Sequence, residues 1–194
     1  MRSTAQFKGH PIHPILVGFP ITFICTAFVA DLAAWLGGWP VLATTGAWLS
    51  LAAIASGLLA AIPGLIDYFY SVPPASSGKR RATWHMLVIT SALTAIALSW
   101  AFRDLTTLQP GWGTLLLEGV GFAMVGWGGW MGGTLVYRNQ IGVDHRYANA
   151  GKWREQTLDG PPGEWRSVPG AAELKSGQMM LLHVNGCRIV LARN

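Results

Sequence analysis

Four long apolar runs dominate the chain, at residues 14–36, 47–66, 84–102 and 113–137. Each is close to the roughly 20 mostly apolar residues with which an α-helix crosses about 30 Å of hydrocarbon. Between Pro11 and Gly78 the charged side chains are Asp31 and Asp67, and between Trp84 and Tyr137 they are Arg103, Asp104 and Glu118. The first run is too long for the apolar region of a signal peptide, and no small-x-small cleavage site follows it. Short connections between the runs force antiparallel neighbours. The pattern predicts an all-α membrane protein, a four-helix up-and-down transmembrane bundle spanning residues 1–146. A short tail, 147–194, follows it. In the tail, Asn185-Gly186 between two β-prone runs signals a hairpin near 178–192.

Composition strengthens the membrane reading. Charged residues make up 12% of the 194 residues, against about 25% in soluble domains. That nearly excludes an ordinary soluble enzyme and a disordered chain. The net charge is +5, which in a soluble protein suggests nucleic acid. Here the basic residues sit in the N-terminal arm (Arg2, Lys8), the loop with Lys79, Arg80 and Arg81, and the tail beginning with Arg138 and Arg146. This is a topology signal rather than a nucleic-acid one, and it places both termini in the cytoplasm and the protein in an inner membrane. Trp35, Trp39, Trp48, Trp100 and Trp112 fall at the outer ends of the spans, and Tyr68, Tyr70, Trp84 and Tyr137 at the inner ends, as interfacial belts do. The two cysteines, Cys25 and Cys187, form neither a disulfide framework nor a CxxC pattern.

Ionisable side chains at membrane depth are the candidates for chemistry. An inner layer holds His10 and His13 in the HPIHP stretch, Asp67 at the end of the second span, His85 at the start of the third, and His145 after the fourth. The first and third spans are diagonal in an up-and-down bundle, so His13 and His85 face each other at similar depth. Two imidazoles there suit the axial positions of one b-type haem, or a metal ion with His10, Asp67 or His145 completing its shell. The alternative is a polar cluster that only shapes the helix entrance. An outer layer holds Asp31, Glu118 and Arg103. Its plainest account is an Arg103 bridge between two carboxylates; a carboxylate pair sharing a proton in a conduction path is the other. His183 and Cys187 flank the tail turn and are a weak metal pair. Gly128/Gly132 and Gly129/Gly133 are overlapping small-xxx-small pairs, suited to packing inside the bundle or to a homodimer or another membrane subunit.

HPIHPILVGFPI, GLIDYFYSVP and GGWMGGTLVYRNQIGVDH together resemble the bacterial membrane family catalogued as domain of unknown function 2231, over residues 7–146. The resemblance implies four transmembrane helices in an inner membrane and no established activity. The tail sequence WRSVPGAAELKSGQMMLLHVNGCRIVLARN is similar to the first strands of a Rieske-type ferredoxin domain. The two Cys and two His that such a cluster needs do not occur in this stretch, so no iron–sulfur cluster is expected from this chain alone. The expected function is electron transfer, as a haem-binding or redox-partner-anchoring subunit without independent catalysis. A non-catalytic accessory subunit of a larger membrane complex is the alternative.

Overall fold

The structure, a computed structural model, describes residues 2–143 and 154–194. It divides into two compact units, 1–143 and 144–194.

In the first unit a short arm precedes the helices. β1 (Gln6–Phe7) and β2 (His10–Pro11) pair around a tight turn in which Lys8 and Gly9 both take positive φ. Pro11 then caps α1 (Ile12–Leu16), and Val17 joins it to α2 (Gly18–Gly37). Pro20 lies three residues past that joint, where its missing N–H and its ring interrupt the hydrogen bonds of the preceding turn. Three further long helices follow: α3 (Pro40–Tyr70), α4 (Ser77–Ser99) and α5 (Trp112–Tyr137). Pro63 is carried inside α3 without ending it.

Two helices start earlier than the apolar runs predict. α3 begins at Pro40 instead of residue 47. Gly38, with φ of 67°, ends α2 in the left-handed conformation that suits glycine, and Pro40 sits at the first helical position of α3, where no N–H is required. The predicted ten-residue loop thus shrinks to Gly38 and Trp39. α4 begins at Ser77 instead of 84, because the Ser76 side chain accepts from the Lys79 amide at 3.0 Å.

α2 packs on α3 and on α5, α4 packs on α3 and on α5, and α2–α4 and α3–α5 are the diagonals. Packing within the α2–α3 and α4–α5 hairpins is denser than packing between them. The centre is a cluster of Ile24, Ala53, Ala92, Ile96 and Val125, drawn from all four helices. Ala53 and Ala92 in this cluster, with buried Ala27, Ala34, Ala43 and Ala47 nearby in the chain, let the backbones approach closely. Outside the core the large side chains point away from the protein: Leu58, Leu59, Ile62, Trp127 and Trp130 are exposed. An apolar exterior around a core of alanine and glycine is the inverse of a soluble bundle.

The stretches Ile12–Gly37, Pro40–Tyr70 and Ser77–Phe102 are long and apolar enough to cross a membrane. α5, with 26 residues, lies outside that set of three among the described residues. Glu118 interrupts its apolar run and glycines dilute it.

The second unit holds a three-stranded sheet of order β3 (Arg154–Leu158), β4 (Met179–Val184) and β5 (Cys187–Ala192). β4 and β5 form the hairpin, and Asn185 and Gly186 both have positive φ, as a tight two-residue turn demands. β3 pairs with β4 in parallel and was not visible in the sequence, because REQTL carries no apolar alternation strong enough to mark it. A small core of Leu174, Met180 and Leu182 packs with Leu158, Val168 and Leu191.

Candidate functional site

His13 lies in α1 and His85 one turn into the apolar part of α4. Their ring centroids are 6.5 Å apart and their planes cross at 85°. Each ring is fixed from behind by a backbone carbonyl of the helix that returns in its own hairpin. His13 Nδ1 is 2.8 Å from the Ala60 carbonyl oxygen, and His85 Nδ1 is 2.9 Å from that of Gly128. A carbonyl only accepts, so Nδ1–H is the donor in both rings. In the neutral imidazole this leaves Nε2 with a free lone pair, and among the described residues neither Nε2 has a hydrogen-bond partner. Glycines make room for the rings. A Cβ at Gly64 would lie 2.9 Å from His13 Nδ1, and one at Gly132 would lie 3.4 Å from His85 Cε1. The two carbonyls and Gly64 escaped sequence reasoning, whereas Gly128 and Gly132 were marked there as a small-xxx-small pair. The small-residue spacing of Ala60 to Gly64 and of Gly128 to Gly132 was the available signal.

The other inner-layer candidates go elsewhere. His10 is exposed in the arm hairpin, opposite Phe7. The Asp67 carboxylate is taken by the arm. It accepts from the Ser3 hydroxyl at 2.6 and 2.8 Å, from the Thr4 and Ala5 amides at 2.8 and 3.1 Å, and from the Ser71 hydroxyl at 2.8 Å. Asp67 therefore staples residues 3–5 across the end of α3. Charge-assisted bonds of this kind contribute about 1.5–3 kcal/mol each at most. Asp67→Ala is expected to release the arm, read as faster amide hydrogen exchange at Thr4 and Ala5. His145 lies outside the described residues. Among the described residues, no group of three or more His, Cys, Asp or Glu is placed to hold a metal ion. In the tail, His183 Nε2 is 3.5 Å from the Glu155 carboxylate across β3 and β4, and Cys187 is exposed.

At the other end of the bundle Arg103 bridges Asp31 and Glu118. All three side chains are wholly buried. The guanidinium grips Asp31 with both terminal nitrogens, one of them 3.2 Å from Oδ1. It reaches Glu118 Oε1 at 3.1 Å and donates to the Leu108 carbonyl at 2.8 Å. Leu108 adopts a φ of 58°, an uncommon backbone state for a branched residue, and the loop holds it there with its carbonyl toward Arg103. Among the described residues, Arg103 Nε and Glu118 Oε2 have no hydrogen-bond partner. Gly46 is required beside the triad, since a Cβ there would collide with the Asp31 carboxylate. Trp100, expected in the outer belt, instead turns inward and donates from its indole N–H to Ser50 Oγ at 2.9 Å. Trp35 and Trp112 do meet at that end, with centroids 4.6 Å apart.

Asp104 organises the loop between α4 and α5. The Thr106 amide first, then the Thr107 hydroxyl and amide, hold its carboxyl below the ordinary carboxylate range. With a depressed folded-state value, the stabilisation that this carboxylate gives the turn is fully present above the ordinary aspartate range and is lost as pH falls through the depressed value. A proton titration of the Thr106 amide resonance is expected to show a midpoint below that of a free aspartate.

The long helices, their apolar exterior and their small-residue core define a membrane protein with several apolar helices. The family described as "Predicted membrane protein (DUF2231)" matches residues 9–145, and the chain belongs to that family. No curated protein and no solved structure matches the chain.

Proposed function

We propose that this is a four-span protein of the bacterial inner membrane, with both termini cytoplasmic, that serves electron transfer through a metal centre held between His13 and His85. The observation that carries this reading is the pair of imidazoles with both Nδ1 atoms anchored and both Nε2 atoms without a hydrogen-bond partner among the described residues. Metal-binding histidines are usually held in this way, their second nitrogen donating to a backbone carbonyl or carboxylate. The separation fits as well. With metal–nitrogen bonds of about 2.0 Å, rings 6.5 Å apart are near enough for the Nε2 atoms of His13 and His85 both to hold one metal ion if it were bound. A b-type haem bound there would supply one-electron chemistry. The chain's own part is to fix the two rings, keep their tautomers and exclude water with the apolar bundle. His10 and Asp67 take no part in this reading.

The test is a difference spectrum of the detergent-purified chain, dithionite-reduced minus air-oxidised. A redox-dependent band supports the reading, and a flat difference spectrum overturns it.

The accessory-subunit reading keeps one specific support. Trp127 and Trp130 on α5 are 61% and 78% exposed, and a Cβ at Gly126 or Gly129 would meet open space. That face suits a neighbouring membrane subunit, whereas Gly128 and Gly132 of the same helix pack inward on Ile89 and His85. Cross-linking from position 126 to a second chain in native membranes is the result that favours this reading.

A further inference from the structure

The two histidine seats repeat one another, and the repetition runs the length of the bundle. Each histidine stands at the entry of its hairpin's apolar stretch, donates to a carbonyl of the returning helix, and rests beside a glycine one turn further on: Ala60 then Gly64, Gly128 then Gly132. The offset that carries His13 onto His85 also carries buried Pro20, Ile24 and Asp31 of α2 onto Ala92, Ile96 and Arg103, buried likewise. The offset that carries Ala60 onto Gly128 takes buried Ser50, Ala53 and Gly57 of α3 onto buried Glu118, Gly121 and Val125 of α5. α2 and α4 run in the same direction, so the hairpins are related by a twofold rotation about the bundle axis, as in parallel-repeat membrane proteins. A residue that meets its own counterpart lies on that axis. His13 meets His85 at one end, and Asp31 meets Arg103 at the other.

We infer that the membrane domain is a doubled helical hairpin. On its axis His13 and His85 form one symmetric site for a metal held in a planar macrocycle, with an imidazole on each face. The ligand class follows from what the site lacks. Two nitrogens leave four positions of a six-coordinate metal unfilled, and no third His, Cys, Asp or Glu joins the pair among the described residues. A tetrapyrrole brings those four donors in its own plane and leaves two axial positions for the protein. The ligand assignment rests on the electron-transfer reading above; the doubling does not.

Two arms test the inference on the full-length chain. In the first, ferric haem is titrated into wild type and into H13G and H85G, with circular dichroism confirming that the variants are folded. Wild type is expected to give a six-coordinate, low-spin spectrum. Each variant should lose it to the same extent, and added imidazole should restore it in both. If only one variant changes, the symmetric site is wrong while the metal-centre reading stands. If the purified chain carries a redox-active metal yet takes no haem, the macrocycle is wrong and that reading again stands. The second arm exchanges the axial charges, D31R with R103D. The double exchange is expected to recover thermal stability that each single exchange loses. A double variant no more stable than the worse single one overturns the doubled hairpin, whatever the first arm shows.

Discussion

Replacing Arg103 by leucine is expected to destabilise the protein by about 3–5 kcal/mol, the cost of breaking a buried ion pair from one side. Asp31 and Glu118 are both 0% exposed, so the variant leaves two carboxylates in an apolar bundle with no cation. It also strands the carbonyl of Leu108, to which Arg103 donates at 2.8 Å. Removing the whole triad should behave differently. A triple variant, D31L/R103M/E118L, places apolar groups of similar volume in the same space. Such replacements are often neutral or stabilising by about 1–4 kcal/mol. Unfolding of the three proteins in one detergent, followed by helical circular dichroism, checks both statements. If R103L unfolds like wild type, the triad is not holding that end of the bundle together.

The second large effect is expected at the histidine seats, where the two glycines are not equally tight. A Cβ at Gly64 would stand 2.9 Å from His13 Nδ1, closer than real contacts come, whereas one at Gly132 would stand at an easier 3.4 Å from His85. Gly64→Ala should therefore push the His13 ring off the Ala60 carbonyl, at an overpacking cost of about 1–3 kcal/mol. It should also abolish any spectrum that needs both rings. Gly132→Ala should leave His85 in place and change that spectrum little. Parallel purification and absorbance of the two variants reads the difference directly. Equal loss in both would mean that the glycines do not seat the rings as described.

The sequence made some of this legible for physical reasons. Long apolar runs located the helices, because little else places so few charges in so many residues. Arg103 was readable as a bridge because it is the basic side chain between Trp84 and Tyr137, in a stretch that also holds Glu118, with Asp31 at matching height. The approach of His13 to His85 followed from topology alone, since up-and-down connections make the first and third spans diagonal. Other features left no trace in the pattern. The partners of both histidines are backbone carbonyls, and every residue carries one of those. Asp67 looked like a site residue because its partners, the Ser3 hydroxyl and the Thr4 and Ala5 amides, reach it only after the arm folds back. The start of α3 at Pro40 was hidden by a hydropathy pattern that weakens near Thr44 and Thr45, although Gly38 and Pro40 spelled the boundary. Trp100 was placed in the belt by its position near a span end, while Ser50 supplies a buried acceptor that only packing reveals.

His13 and His85 are proposed to hold a metal between them. The most direct measurement is the metal content of the chain purified from its own membrane, beside that of the H13A/H85A double variant. About one transition-metal ion per wild-type chain is expected, as a single bis-imidazole centre requires, and none in the double variant. A wild-type chain without metal, or a double variant that keeps it, would contradict the claim.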